Sequence, residues 1–315
     1  IGIHDNFFHL GGNSLLATQL ASRIHSKLNC DIAIKALFDK PKLMDLASFI
    51  DDMLKEGKGE GYAPINRVKR LKKGNAMSFS QQRLWFLDQF EGPNANYNIP
   101  VILRLSGKLH IKALNASIKQ LIARQDSFRT VFIKDEQGEG RQQIANTLHI
   151  KLKLEKLKGK ALAKAIHQEV HMPFVLEKGP LLRVRLFEVK KDAFVLAFNH
   201  HHIISDGWSV DLILSELSEF YSAFIEKRPP RLDALPIQYI DFSAWQRAEF
   251  NKPVYQDKLE FWKNYLAGYE DLPLTIDKPR PTHFSYKGAN INLSLSEEVS
   301  TKLTQLAKDH GTTLY

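Results

Sequence analysis

The sequence carries one cysteine, Cys30, in 315 residues. A lone thiol can close no internal disulfide and build no thiolate zinc site, since both need a second sulfur. No run of about 18 apolar residues is present, so no segment reads as a membrane span. A signal-peptide pattern is also missing, and with the cysteine usage this predicts a reducing, cytoplasmic compartment. No internal repeat or low-complexity tract is evident. Cations outnumber anions, 44 to 35, for a formal charge of +9, yet they form no single stripe. The densest run, RVKRLKK at 67–73, lies in a Gly/Lys-rich stretch and reads as a solvated connection rather than a phosphate-binding patch. Neither nucleic acid nor membrane is expected as a partner.

What is present is ordinary globular composition, 43% hydrophobic and 25% charged, over a length that fits two or three units at about 100–200 residues each. Residues 1–55 read as a small helical unit. Leu16, Leu20, Ile24 and Leu28 recur every fourth position after Gly11 and Gly12, and Leu43, Leu46, Ala47, Ile50, Met53 and Leu54 form a second apolar face behind Asp39 and Pro41. IAIKALF, at 32–38, reads as extended. Residues 56–75 lose periodicity and gain Gly, Lys and Pro, as a flexible connection does.

From 76 to 270 the pattern is mixed. Helices are predicted near 79–90, over 110–125 and through Val210, Ile213, Leu217, Phe220 and Phe224. Strands are predicted at PVILRLSG, FRTVFIK, HIKLKLEKL, PLLRVRLFEV and AFVLAF. Residues 271–315 read as the strand and helix that begin a second α/β lobe. Two helices cover one another poorly and the last lobe lacks a sheet, so both ends are expected to be cuts within domains.

Two places carry candidate chemistry. Ser14 stands at the start of an amphipathic helix, where unpaired N–H groups and the dipole would favour a phosphoryl group on its hydroxyl; a plain serine N-cap is the bland alternative. In FNHHHIISDGWS, residues 198–209, a strand ends in three histidines, and a short loop leads to a helix starting at Asp206 and Gly207. An imidazole at such a strand end can face a cleft together with the first helical N–H groups. Alternate strand side chains point to opposite faces, so three consecutive histidines cannot share one metal, and no metal is expected. Satisfied core or loop histidines are the bland alternative, and Asp206 can orient an imidazole or cap the helix.

The residues are specific beyond that. DNFFHLGGNSLLATQL closely resembles the core motif of the peptidyl carrier proteins of nonribosomal peptide synthetases. The resemblance implies that Ser14 receives 4'-phosphopantetheine from a phosphopantetheinyl transferase, with Asn13 at a position where relatives often have His or Asp. It covers residues 1–54 without the family's first helix. HHIISDGWS resembles the His-His-x-x-x-Asp-Gly motif of the condensation-domain superfamily, through His201, His202, Asp206 and Gly207, with His200 as an extra neighbour. SFSQQRLWFLDQ, ARQDSFRTVF and IQYIDFSAWQ resemble further motifs of that family in the expected order. In the second of these Gln125, Asp126 and Phe128 replace the usual His-Glu and Leu.

The resemblance implies a multidomain chain: a partial all-α carrier helical bundle over 1–55, a linker over 56–75, an α/β (α+β) chloramphenicol acetyltransferase-like condensation lobe over 76–270, and the start of a second similar lobe over 271–315. It implies amide formation between a carrier-bound acyl thioester and the amine of an aminoacyl thioester. Partners so implied are an upstream adenylation domain, a downstream acceptor carrier domain and aminoacyl or peptidyl thioesters. His202 would accept the amine proton or hold the amine, an imidazole having a reference pKa of about 6.5. The Gly207 N–H would face the developing oxyanion, and Asp206 would fix the loop through an arginine such as Arg129. An epimerisation domain of the same superfamily and a non-catalytic carrier-docking platform remain alternatives.

Overall fold

The computed structural model describes residues 1–56, 64–270, 272–273, 275–279, 288, 291–310, 312 and 314. Its contacts divide the chain into two compact units, residues 1–64 with 283–315, and residues 65–282.

The amino-terminal segment holds α1 (Ser14–Leu28), α2 (Ile34–Asp39) and α3 (Leu43–Glu56). Ala17, Ile24, Cys30, Ile32, Leu37, Leu46 and Ile50 form its core, with Phe7, Leu20, Ala21, Phe49 and Met53 at the edge. The buried stripe of α1 thus differs from the fourfold series expected: Leu16 and Leu28 are exposed. At 3.6 residues per turn, a spacing of four drifts by about 40° per step, so a long series of fours leaves the core face. The stripe that stays on it uses Ala17, Leu20, Ala21 and Ile24. The segment expected to be extended coils instead into α2, because Ala36 and Leu37 reach the core from one short turn of helix.

The larger unit follows in the order β1 (Asn75–Ala76), α4 (Phe79–Glu91), β2 (Asn98–Ser106), α5 (Ile111–Arg124), a 3-10 turn at Asp126–Arg129, β3 (Thr130–Lys134), β4 (Gly140–Ile144), β5 (Leu154–Lys156), α6 (Gly159–His171), β6 (Leu182–Lys190), β7 (Ala193–His201), α7 (Gly207–Ile225), α8 (Tyr239–Phe250) and α9 (Pro253–Tyr265). The main sheet has the order β2-β7-β6-β5, and a smaller antiparallel sheet runs β1-β4-β3. In the main sheet β7 pairs antiparallel with β2 and β6, while β5 runs parallel to β6.

Strand β7 explains the architecture. It is buried from Phe194 to His201, and successive side chains alternate between faces. Phe194, Leu196 and Phe198 join α5 and α7 in the main core, through Leu114, Ile118, Leu121, Ile213, Leu217 and Phe220. Val195 and Ala197 meet α6 at Ala165 on the other face. A strand covered on both faces reads as a continuous apolar run. This run ends in polar residues that are also buried.

Only Leu154–Lys156 of the predicted HIKLKLEKL strand pairs in a sheet. A final helix, α10, covers Glu297–Asp309. Of the strand expected before it, residues 289 and 290 lie outside the described residues, and 291–296 take no strand pairing.

Candidate active site

β7 delivers the three histidines into three environments. His200 has the parity of Phe198 and packs its ring 5.7 Å from it; it is fully buried, and neither ring nitrogen has a hydrogen-bond partner. His201, on the opposite parity, is buried near Tyr97 and Phe174, with centroids 6.2 and 6.1 Å away. Its Nδ1 accepts the N–H of Ile203 at 3.0 Å. His202 has left the strand: its N–H donates to the Tyr97 carbonyl at 2.8 Å, and its ring is exposed.

These surroundings set the charges. The pKa of His200 is pushed down to about 4, first by burial and then by the neighbouring His202, with Asp206 opposing. His201 is likewise pushed down to about 4, by burial, then by His202 and His200. Both are neutral at neutral pH, because a buried imidazole resists taking up charge. The His202 Nδ1 lies 3.0 Å from the Ser205 carbonyl. A carbonyl only accepts, so Nδ1 carries the proton and Nε2 is left as the proton-accepting nitrogen of the neutral ring.

His202 lines a pocket of about 490 Å³. Its wall draws on Ser80, Gln81 and Leu84 from the first quoted motif, Gln125, Ser127 and Phe128 from the second, and Gln238, Tyr239 and Phe242 from the last. Stretches more than a hundred residues apart in sequence therefore meet the histidine loop at one cavity. Most polar groups of the wall already serve the protein. Gln81 forms a capping box with Ser78, Gln125 donates to Glu216 at 2.9 Å, and Gln238 accepts from the Asp126 N–H and donates to the Arg124 carbonyl. Tyr239 bonds Ser78 at 3.0 Å. What remains is largely apolar surface with the His202 ring at its edge.

His201 and Gly207 are not part of that wall. Gly207 is the first residue of α7, where an N–H has no partner within the helix. A Cβ added to it would meet nothing within 4 Å, so its surroundings are open. Asp206 caps the same helix, accepting from the Ser209 N–H at 2.8 Å and the Ser209 hydroxyl at 2.6 Å. This differs from the expected pairing with Arg129. That guanidinium is taken up by Asp126 at 2.5 Å and by the carbonyls of Ile122 and Ala145. A short-chain acid at a helix start finds its nearest donors in the next turn, before any distant arginine.

Ser14 is the first residue of α1. The capping role belongs to Asn13, whose Oδ1 accepts the Leu16 N–H at 3.0 Å and whose carbonyl accepts the Ala17 N–H at 2.8 Å. Gly12 is obligatory: a Cβ there would run into the Phe7 ring and lie 2.5 Å from the Phe7 carbonyl oxygen. Gly11, Asn13 and Leu16 are exposed around the serine position. A first helical position with exposed neighbours and a positive dipole end suits a phosphodiester, and 4'-phosphopantetheine fits the residues present. Among the described residues no cluster of His, Cys, Asp or Glu has metal-ligand spacing, and no helix is long and apolar enough to cross a membrane.

Together these features describe a two-part protein, with a helical unit bearing a serine at a helix start and an α/β unit whose central strand ends at a histidine-edged pocket. The chain belongs to the condensation-domain family, which residues 72–315 match, and residues 1–50 match the phosphopantetheine attachment site. Malpinin synthetase of Mortierella alpina is 37% identical over 320 aligned residues, covering 99% of this chain and 4% of that protein. Bacitracin synthase 3 of Bacillus licheniformis is 34% identical, covering 100% of this chain and 5% of that protein. The chain thus spans a small fraction of these curated relatives. Among solved structures, the X-domain from teicoplanin biosynthesis is similar with a TM-score of 0.70 and 25% identity, over 79% of this chain and 56% of that one. The first condensation domain of the CDA synthetase shares the fold, with a TM-score of 0.60 at 18% identity, over 76% of this chain and 58% of that one.

Proposed function

We propose that this chain acts in nonribosomal peptide synthesis, with residues 1–55 as a peptidyl carrier, 76–270 as the first lobe of an amide-forming condensation domain and 271–315 as the start of its second lobe. The carrying observation is the convergence of all the condensation-type motifs on the one pocket edged by His202. Ser14 would hold 4'-phosphopantetheine, which when bound supplies a thiol that carries an acyl group as a thioester. An α-amine with a pKa of about 7.7–8.0 is in part neutral near pH 7. The Nε2 of His202 therefore needs only to orient that amine or take its proton during attack. The Gly207 N–H donates to the carbonyl oxygen as negative charge grows there. His201 and Asp206 act on geometry, one through the turn and the other through the helix start. The apolar wall supports an uncharged substrate side chain.

On this reading the partners are an upstream adenylation domain, a downstream acceptor carrier domain, a phosphopantetheinyl transferase, and aminoacyl or peptidyl thioesters, all in the cytoplasm. Two measurements test it. Treatment with a phosphopantetheinyl transferase and coenzyme A adds one pantetheine arm to the intact mass, and Ser14→Ala abolishes the gain. In a synthetase module containing this chain, His202→Ala lowers the amide-forming rate by about 10²–10⁴, the usual worth of a positioned acid–base group. A second reading, a carrier-docking platform, draws on the X-domain of teicoplanin biosynthesis, a structure of which is a complex with OxyB. An unchanged amide yield in His202→Ala would favour it.

A further inference from the structure

Part of the basic run RVKRLKK is tied to the fold, while Lys69, Lys72 and Lys73 are exposed. Arg67 donates to the carbonyls of Pro236 and Leu235, each at 2.7 Å. The Val68 N–H donates to the buried Asp241 carboxylate at 2.8 Å. Arg70 holds Asp241 with both arms, Nη1 on one carboxylate oxygen and Nη2 on the other at 3.2 Å, and Nη2 also reaches Asp126 at 3.4 Å. Behind the fork, the second Asp241 oxygen accepts the Gln238 N–H at 2.7 Å. Gln238 in turn accepts the Asp126 N–H at 3.0 Å, and Arg129 holds the far side of Asp126.

Both anions sit inside pocket-wall segments. Asp126 lies between the wall residues Gln125 and Ser127, and Asp241 between Tyr239 and Phe242, while Leu235 and Ile237 flank Pro236. The Arg70 guanidinium therefore ties the two walls together at their carboxylates. A planar fork suits such bridging, and a buried carboxylate without its cation is costly.

We propose that Arg70 is a positioning residue, and that residues 67–70 form a strap that sets the separation of the two pocket walls. This rests on the reading of the pocket as the substrate site. The strap determines how well substrate fits, while His202 determines what happens to it.

Hydrogen exchange on the intact chain tests the strap independently of catalysis. Arg70→Ala is expected to speed amide exchange in 125–130 and 237–242 by at least about tenfold, with β7 and α1 unchanged. Arg70→Lys keeps one charge at Asp241 but loses the fork, and is expected to loosen 125–130 alone. The kinetic arm uses an aminoacyl N-acetylcysteamine thioester as soluble probe in a module containing the chain. There Arg70→Ala raises KM about tenfold and leaves kcat within about twofold, the pattern of lost positioning rather than lost chemistry. Exchange equal to wild type at both segments, or a fall in kcat at unchanged KM, overturns the proposal. Should Arg70→Ala not fold, Arg70→Lys carries the test alone, with loosening at 125–130 expected and none overturning it. A wild-type module that forms no amide would count against the function, while the exchange result would still decide the strap.

Discussion

The Nδ1 of His201 accepts the Ile203 N–H at 3.0 Å, two residues along the chain. A ring that reads in the motif as one of a reactive pair is thus bound to the backbone turn that carries its neighbour out of the sheet. His201→Ala leaves that buried N–H without a partner, at a cost of about 1–3 kcal/mol. Chemical denaturation should show this loss. Amide formation should fall with it even though His202 is intact, because the turn that aims His202 is no longer held.

Asp206 belongs to the first turn of α7 through Ser209. Asp206→Ala should cost about 1 kcal/mol, as loss of a helix cap does, and Asp206→Ser should recover most of it. In a double-mutant cycle with Arg129→Ala the two effects should add within about 0.5 kcal/mol. Coupling well above that would reinstate an Asp206–Arg129 pair.

In the carrier segment, Asn13→Ala should lower stability by about 1 kcal/mol, since Asn13 is the cap of α1. Arm attachment, read by intact mass, should persist. Gly12→Ala should be far more damaging, because Phe7 occupies the space a methyl would need. Thermal unfolding of the two variants side by side gives the order.

Acid should weaken the larger unit through two buried rings. His200 and His201 are pushed down to about 4 in the fold, against about 6.5 in an unfolded chain. As pH falls below 6.5 the unfolded chain binds protons that the folded one refuses, so stability is full above that value and declines towards pH 4. Each group contributes up to about 1.4 kcal/mol per pH unit in that window. Urea midpoints between pH 4.5 and 7 should show it. His200→Leu should remove close to half the slope, and an unaltered slope would exclude His200 as a source.

The motifs were legible because they are contiguous: the strand end, the Asp-Gly helix start and the Gly-Gly-Asn-Ser helix start are each written in neighbouring residues. Convergence of Gln125, Gln238 and Tyr239 on one pocket was foreshadowed only by resemblance, since no periodicity encodes a contact across a hundred residues. Helix α2 is not legible in the sequence because six residues are too few for a helical period to stand out from an apolar run. Helix α6 is hard to read in the sequence for a different reason: its face is made of Ala165, Leu162 and Ile166 with alanines and lysines between, a weak contrast beside the strands around it. The segment 67–70 reads as solvated linker in the sequence because its partners, Asp126 and Asp241, lie far along the chain.

The burial of Cys30, 3% exposed within the carrier core, has a practical side. A maleimide fluorophore added to these 315 residues in folded form finds their one thiol shielded, whereas a pantetheine arm would end in an accessible sulfur. Dye uptake before and after priming would therefore report the fraction of molecules bearing the arm, with no cysteine replacement needed beforehand.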